Sequence, residues 1–334
     1  MAITGEAAIL TAPGRFEVQD VELPAPQDGE LLVRTEAAAI CGSDVHRVYG
    51  QARFFREIGD YDYPCPPGYP GHEGIGEVLE SRSPAFRPGQ TVLTVPDNTC
   101  NRTFASRQVI PDRFALPVPG DLVPMHALMA QQLGTVVYAM RRFWPDAEPG
   151  ETAVVNGTGS AGLFFVQLIK RLGFPRVIAC DLVPERLDAA RAAGAGLTVQ
   201  APRHRVEDAV AEETGGRGAD LAVDASGSDA GRAAAMACVA PDGRVGFYGL
   251  PEGTDLTIPF ASLFRRQATL VCAVGAQQEP GVRSFAEALG LITDGVIPVS
   301  AHVTHTFALP KIADALALAH NREDGAVKVG VTFD

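Results

Sequence analysis

The sequence predicts an α/β chain in two parts, one rich in β-strands and one built on a doubly wound parallel sheet. Three observations carry that prediction. The 334 residues are more than one small core needs and suit two domains of ordinary size. From about Ala127 apolar runs of strand length recur, each followed by an Ala- and Leu-rich helical stretch, which is the pattern of buried parallel strands with crossover helices. Within one such pair, VVNGTGSAGL sets a G-x-G-x-x-G directly after a strand and at the opening of a helix.

Taken in order, the first 135 residues are turn-rich. Extended segments at 30–37 and 74–79 alternate with Pro and Gly clusters, so this part reads as mostly β. Residues 61–71, YDYPCPPGYPG, are predicted to be a stiff loop, because proline fixes φ and removes donors throughout. Strands follow at 152–156, 176–181, 219–224 and 244–248, with helices at 161–172, 184–193 and 229–239. The tail is expected to add helices around 283–293 and 311–321 and a last strand at 327–333. No internal repeat or long linker interrupts this order.

Composition narrows the function. Hydrophobic residues are 46% and charged residues 20%, as in a globular protein. The 28 basic against 40 acidic side chains give −12, a poor balance for binding a phosphate backbone, so no nucleic-acid partner is expected. No run approaches the roughly 18 apolar residues of a spanning helix, and no membrane partner is expected. The start, MAITGEAAIL, lacks the regions of a signal peptide. Six dispersed cysteines do not form a disulfide framework, and the expected location is the cytoplasm, with reduced thiols.

The glycines of GTGSAG have separate tasks. Gly157 permits the tight turn, Gly159 lets backbone approach a pyrophosphate, and Gly162 lets helix and strand pack closely, with Ser160 and Ala161 opening the helix whose N-terminus favours phosphate. Asp181, 19 residues after Gly162, ends the next strand; a carboxylate there accepts ribose hydroxyls and repels a 2′-phosphate, which favours NAD over NADP. Arg186 is the residue that could serve NADP; it reads otherwise as a solvated helix cation.

Two clusters carry reactive groups: CGSDVH (Cys41, Ser43, Asp44, His46) and GHEG (His72, Glu73). A thiolate, an imidazole and a carboxylate are donors that a catalytic zinc takes. Ser43 and His46 in series can pass a proton from a buried alcohol to water. Each cluster alone has a plainer reading, since Cys41 lies in an apolar run and lone histidines are usually satisfied polar residues.

Together these motifs, with PGQTV (88–92), FAS…VIP (104–111) and AVKVGVTF (326–333), resemble the medium-chain dehydrogenase/reductase superfamily, in its zinc-dependent alcohol and polyol dehydrogenase branch. The likeness spans essentially the whole chain. It implies a GroES-like catalytic domain over 1–136 and 277–334, a Rossmann NAD-binding domain over 137–276, and one catalytic zinc in the cleft at their boundary. Carried over residue by residue, Cys41 and His72 are zinc ligands, Glu73 a nearby carboxylate that ligates at some stage, Ser43 and His46 the proton relay, and Asp44 an anchor behind the ligands. Thr135 takes the position that packs on the nicotinamide, and Lys328 that of a basic residue near the pyrophosphate.

Two departures stand out. The third ligand of this branch is a Cys, Glu or Asp, whereas QQLGTVVYAMRR (131–142) puts Gln131 there, a neutral amide that donates less charge. Relatives with a structural zinc carry four close cysteines; here the corresponding stretch holds only Cys100, so no structural zinc is expected and Cys100 reads as a surface thiol. The resemblance implies an NAD- and zinc-dependent enzyme interconverting a secondary alcohol and a ketone. The Tyr-, Phe- and Arg-rich stretch 47–70 is expected to line the cleft mouth and suggests a sugar, cyclitol or aminoglycoside-like polyol, a small aliphatic alcohol being the rival. A metal-free reductase of activated double bonds or iminium ions and a non-catalytic NAD-binding protein are the alternatives. A homodimer, paired through the strand at 268–276, or a homotetramer is the expected assembly.

Overall fold

The computed structural model describes residues 3–50, 62–120 and 122–333. Residues Thr135–Val274 form one compact unit, and the other is built from the described residues before Thr135 together with those from Gly275 onward.

In the β-rich unit, β1 (Ile3–Ala12) and β2 (Arg15–Leu23) make an antiparallel pair. β3 (Glu30–Ile40) is the long central strand of the second sheet. It pairs with β4 (Gly74–Ser81), with β6 (Arg107–Pro111) and with the last strand, β15 (Lys328–Thr332). The sheet runs β14–β15–β3–β4–β5–β7, where β5 is Thr91–Thr94, β7 Ala115–Pro117 and β14 Val303–Ala308. Helix α1 (Gly42–Tyr49) follows β3 directly, and α2 (Pro124–Phe143) begins beyond β7. Leu10, Ile40, Val48, Tyr69, Phe104 and Leu316 meet in one of the unit's cores. Full burial of each large apolar side chain contributes roughly 1.5–3 kcal/mol. Residues 62–71 carry no helix or strand.

The other unit is an all-parallel sheet in the order β10–β9–β8–β11–β12–β13. Numbered from its own first strand the order is 3-2-1-4-5-6, the Rossmann arrangement, whose switch point lies between β8 and β11. β8 (Thr152–Asn156), β9 (Arg176–Asp181) and β11 (Ala219–Asp224) keep the predicted bounds, because strands covered on both faces are apolar almost throughout. Helices α3 (Ser160–Leu172), α4 (Pro184–Ala193), α5 (Val206–Thr214), α6 (Asp229–Cys238) and α7 (Phe260–Arg266) separate the strands, with β10 at Leu197–Gln200 and β13 at Thr269–Cys272.

Several elements differ from expectation. β12 spans Val239–Phe247, beginning where α6 ends, with Asp242 at φ 59 turning the chain inside it. β14 was not predicted; its alternating half-buried pattern is weak beside that of the inner strands. In the tail α8 keeps the expected bounds, Arg283–Thr293, whereas α9 is Ile312–Asn321 and the last strand starts at Lys328. No helix among the described residues is long and apolar enough to cross a membrane.

His302, 2% exposed, has its pKa lowered to about 4, by burial first and by the charge of Lys328 second. The unfolded chain therefore binds this proton at higher pH than the folded one. Stability present above the ordinary value of 6.5 is expected to fall as pH drops towards 4, by about 3 kcal/mol at one pKa unit per 1.36 kcal/mol. Urea unfolding at pH 7 and near pH 4 should show that loss in the parent chain and a smaller one in His302→Gln.

Candidate active site

The β-rich unit brings CGSDVH and GHEG together. β3 ends at Ile40, and Cys41 is the N-cap of α1, with extended backbone at φ −94 and ψ 156. Asp44 closes the first turn: its Oδ2 accepts from the Cys41 N–H at 2.9 Å. The same carboxylate, fully buried, places Oδ1 2.9 Å from His72 Nδ1, which also lies 3.3 Å from the Pro70 carbonyl. The other ring nitrogen, Nε2, faces Ser43 Oγ at 3.3 Å. His46 stands one turn beyond Ser43, half-buried. Burial works against a charged His72 ring, but Asp44, helped by Cys41, outweighs it and holds the imidazole well above its ordinary pKa.

Cys41, His72 and Glu73 offer a thiol sulfur, a ring nitrogen and a carboxylate oxygen, all within 4.8 Å of one another. This is the group that the described residues contain with donors of the kinds and spacing a cation requires. Gln131, 1% exposed on α2, donates from Nε2 to the His72 carbonyl at 3.2 Å, which sets its amide beside the cluster.

Lys328 is paired within the β-rich unit. It is 2% exposed, and its Nζ stands 2.7 Å from Glu73 Oε1 and 2.6 Å from Oε2, with Glu73 itself fully buried. Its ammonium is committed to a buried carboxylate, because β15 pairs beside β3 and delivers the side chain into the interior. Cys100 departs from expectation: the thiol is half-buried, shares a hydrogen bond with Asp97, and is pushed up to about 11 by burial and then by Asp97. Of the stretch 47–70, residues 51–61 lie outside the described residues.

In the Rossmann unit the GTGSAG turn has the geometry its glycines require. Gly157 is at φ +90, and a Cβ on Gly162 would stand 1.9 Å from the Gly157 carbonyl oxygen, so no other residue fits. Gly159 caps α3, and Ser160 and Ala161 are buried at its start without a side-chain cap. Asp181 holds the turn from outside. Its Oδ2 accepts from Thr158 N at 2.6 Å and Thr158 Oγ1 at 3.1 Å, while Oδ1 accepts from Val183 N at 3.0 Å. Arg186 is not a solvated helix cation: it is half-buried, with Nη1 3.7 Å from where a Gly159 Cβ would be, so its guanidinium lies against the turn.

Two side chains here went unnoticed in the sequence. Tyr248, just past β12, shares a 2.7 Å hydrogen bond between its hydroxyl and Thr135 Oγ1 and packs edge-on against Phe165. Its place after a strand at the sheet's carboxyl edge was the available signal. Asn156, 3% exposed at the end of β8, has no side-chain hydrogen-bond partner among the described residues.

The fold and this site define a class: an oxidoreductase acting on alcohols, with a GroES-like unit and a Rossmann unit. The family model for the alcohol dehydrogenase GroES-like domain matches residues 27–120, and that for zinc-binding dehydrogenases matches 161–294. The chain is 28% identical to an erythritol/L-threitol dehydrogenase of Mycolicibacterium smegmatis, covering 98% of this chain and 97% of that one. It is 25% identical to a sorbitol dehydrogenase of Bacillus subtilis, over 98% and 96% of the two chains. An alcohol dehydrogenase structure from Thermus sp. ATN1 superposes with a TM-score of 0.83 at 24% identity, covering 98% of this chain and all of that one. The chain belongs to the medium-chain dehydrogenase/reductase superfamily, in its zinc-dependent alcohol and polyol dehydrogenase branch.

Removing one member of the Glu73–Lys328 pair leaves the other charged and buried. Lys328→Met is expected to lower stability by about 3–5 kcal/mol, and adding Glu73→Gln to return most of that loss. Urea unfolding of the single and double variants measures both.

Proposed function

We propose that the chain is a zinc- and NAD-dependent dehydrogenase that interconverts a secondary alcohol, by preference a polyol, and its ketone. The observation that carries this reading is the convergence of Cys41, His72 and Glu73, with Asp44 behind the imidazole and Ser43 in front of it. A soft sulfur, an imidazole and a hard oxygen form the mixed set zinc accepts, at bonds of about 2.0–2.3 Å. When bound, zinc supplies a Lewis acid that lowers the pKa of the substrate hydroxyl.

The rest is work for the chain's own side chains. Cys41 and His72 are the two fixed ligands, and Asp44 keeps the His72 Nε2 side available by occupying Nδ1. For the third ligand the geometry favours Gln131. Glu73 can ligate only by loosening from the Lys328 ammonium at 2.6–2.7 Å, whereas Gln131 can offer Oε1 while Nε2 stays on the His72 carbonyl. Ser43 would take the substrate hydroxyl's proton as it gives up its own, which would leave through the cofactor ribose and His46 to water.

The GTGSAG turn is assigned to the dinucleotide, with its pyrophosphate over the α3 N-terminus and Arg186 beside it. Asp181 receives ribose hydroxyls and disfavours a 2′-phosphate, which supports NAD. Thr135, tied to Tyr248, is assigned to the nicotinamide end. The polyol preference is supported by relatives named for erythritol, threitol and sorbitol. A metal-free reductase is the second reading; the neutral amide of Gln131 is what favours it. The exposed edge strand β13, with Phe264 and Val274 each 72% exposed nearby, is proposed as the contact of a homodimer.

Elemental analysis of the purified chain is expected to find about one zinc per chain, lost with activity in Cys41→Ala; none would leave the metal-free reductase. Asp44→Asn should weaken zinc affinity about 10–100-fold in a competition titration. Light scattering should give twice the chain mass, returning to one chain in Leu270→Asp/Val274→Asp.

A further inference from the structure

We propose that Arg47 is a positioning residue for the Ser43–His46 proton path, holding α1 in place against the segment that carries His72. The proposal rests on the dehydrogenase reading above.

Arg47 lies in the last turn of α1, one turn beyond Ser43, and is 9% exposed. Its guanidinium meets two segments remote from that helix. Nη2 donates to Asn98 Oδ1 at 2.8 Å. Nη1 donates to Asn101 Oδ1 at 2.9 Å in the amide orientation that also lets Asn101 Nδ2 donate to the Asn98 carbonyl at 3.0 Å. Nη1 further lies 3.5 Å from the Tyr69 hydroxyl, and the guanidinium carbon is 5.6 Å from the centre of that ring. Tyr69 and Asn101 are each 2% exposed, so the cluster is built into the interior.

Those two segments are laced together by backbone. Thr103 N donates to the Gly71 carbonyl at 2.9 Å, and Phe104 N to the Gly68 carbonyl at 3.1 Å. His72 is three residues past Tyr69, so Arg47 and His72 hang from the same frame. Helix α1 therefore meets that frame about one turn apart, Ser43 and Asp44 against His72 and Arg47 against Tyr69, Asn98 and Asn101. Two points fix the pitch of a two-turn helix, and with it the reach of Ser43 and His46.

The residue type follows from this task. A planar guanidinium carries five donors in a rigid fork and can serve several acceptors at once, whereas an ammonium is a point charge that cannot span them. A misplacement of about 1 Å in a catalytic group can cost on the order of a hundredfold in rate, which is why a clamp outside the reacting atoms matters.

Arg47→Met, Arg47→Lys and the milder Asn98→Ala, an exposed position, test the proposal in the full chain as isolated. With erythritol and 2-butanol as alcohols, Arg47→Met should lower kcat by about tenfold or more and displace its pH profile, with the NAD dissociation constant and metal content unchanged. Lysine should not rescue, added guanidinium ion should partly restore an Arg47→Ala variant, and Asn98→Ala should move the same way by a smaller factor. Independently of turnover, iodoacetamide labelling of Cys41, at the start of α1 and read by peptide mass spectrometry, should quicken severalfold in Arg47→Met. Parental pH profiles and Cys41 rates in the variants would overturn the proposal. If the parent oxidises neither alcohol, the polyol reading fails and the Cys41 rates still decide Arg47. If Arg47→Met does not fold, Arg47→Lys and Asn98→Ala carry the same comparison.

Discussion

The carboxylate of Asp44 is the constraint on which the candidate site depends. It is fully buried, a position that costs several kcal/mol for an unpartnered charge. Two partners offset that cost: the Cys41 N–H at the positive end of α1, and the His72 ring at 2.9 Å. One group thereby closes the first turn of a helix and orients an imidazole from a segment almost thirty residues away. With Nδ1 assigned to Asp44, Nε2 is left on the side of Ser43 and Cys41. The arrangement resembles the carboxylate–histidine–metal triads in which the outer partner fixes ring direction and raises basicity.

Next to it the Glu73–Lys328 pair settles the charge of the site. Both residues are almost wholly buried, and the ammonium cancels the carboxylate at hydrogen-bonding distance. With Gln131 neutral, a divalent ion held as proposed above would meet a single formal negative charge, that of Cys41 once the ion had displaced its proton. Fewer anionic donors bind such an ion less tightly and leave it a stronger Lewis acid. On the proposed reading, Gln131 and the Lys328 pairing would act in the same direction, trading retention of a metal against its power to polarise a hydroxyl.

What the sequence made legible was whatever is local. GTGSAG and Asp181 fall within one strand–turn–helix–strand unit, and the burial of β8, β9 and β11 on both faces writes their bounds into uninterrupted apolar runs. The donors Cys41, His72 and Glu73 were readable as residue types, and their convergence is a property of sheet pairing. Long-range partners left no local trace. Lys328 is 255 positions from Glu73, Tyr248 is 113 from Thr135 and Arg47 is 51 from Asn98, so no periodicity announces them. Arg186 departs from the sequence expectation because a cation on a helix surface looks the same in sequence whether it faces water or folds onto a neighbouring turn. β14 escaped because half-buried alternation over six residues is faint.

The Rossmann unit shows why its chemistry gathers at one edge. Register places Asn156 between the apolar Cys180 on β9 and Asp224 on β11, so that two polar side chains, Asn156 and Asp224, stand at the ends of strands whose preceding residues are apolar. Asp224 is fully buried, and burial raises its pKa despite bonds from Ser226 N, Ser226 Oγ and Gly227 N. Its backbone carbonyl accepts from Tyr248 N and Gly249 N, and so fixes the start of the chain beyond β12. The Ser226 loop abuts Gly157, where a Cβ would meet Ser226 N at 2.8 Å. The turns after β8, β11 and β12 therefore brace one another, and Asp181 braces the first of them through Thr158. Asp224 is tolerable there because turn N–H groups and a hydroxyl reach it, which in a parallel sheet with buried strands happens at the ends of the strands. At the carboxyl edge, beside the switch point, the same turn N–H groups and helix N-termini favour a phosphate ligand.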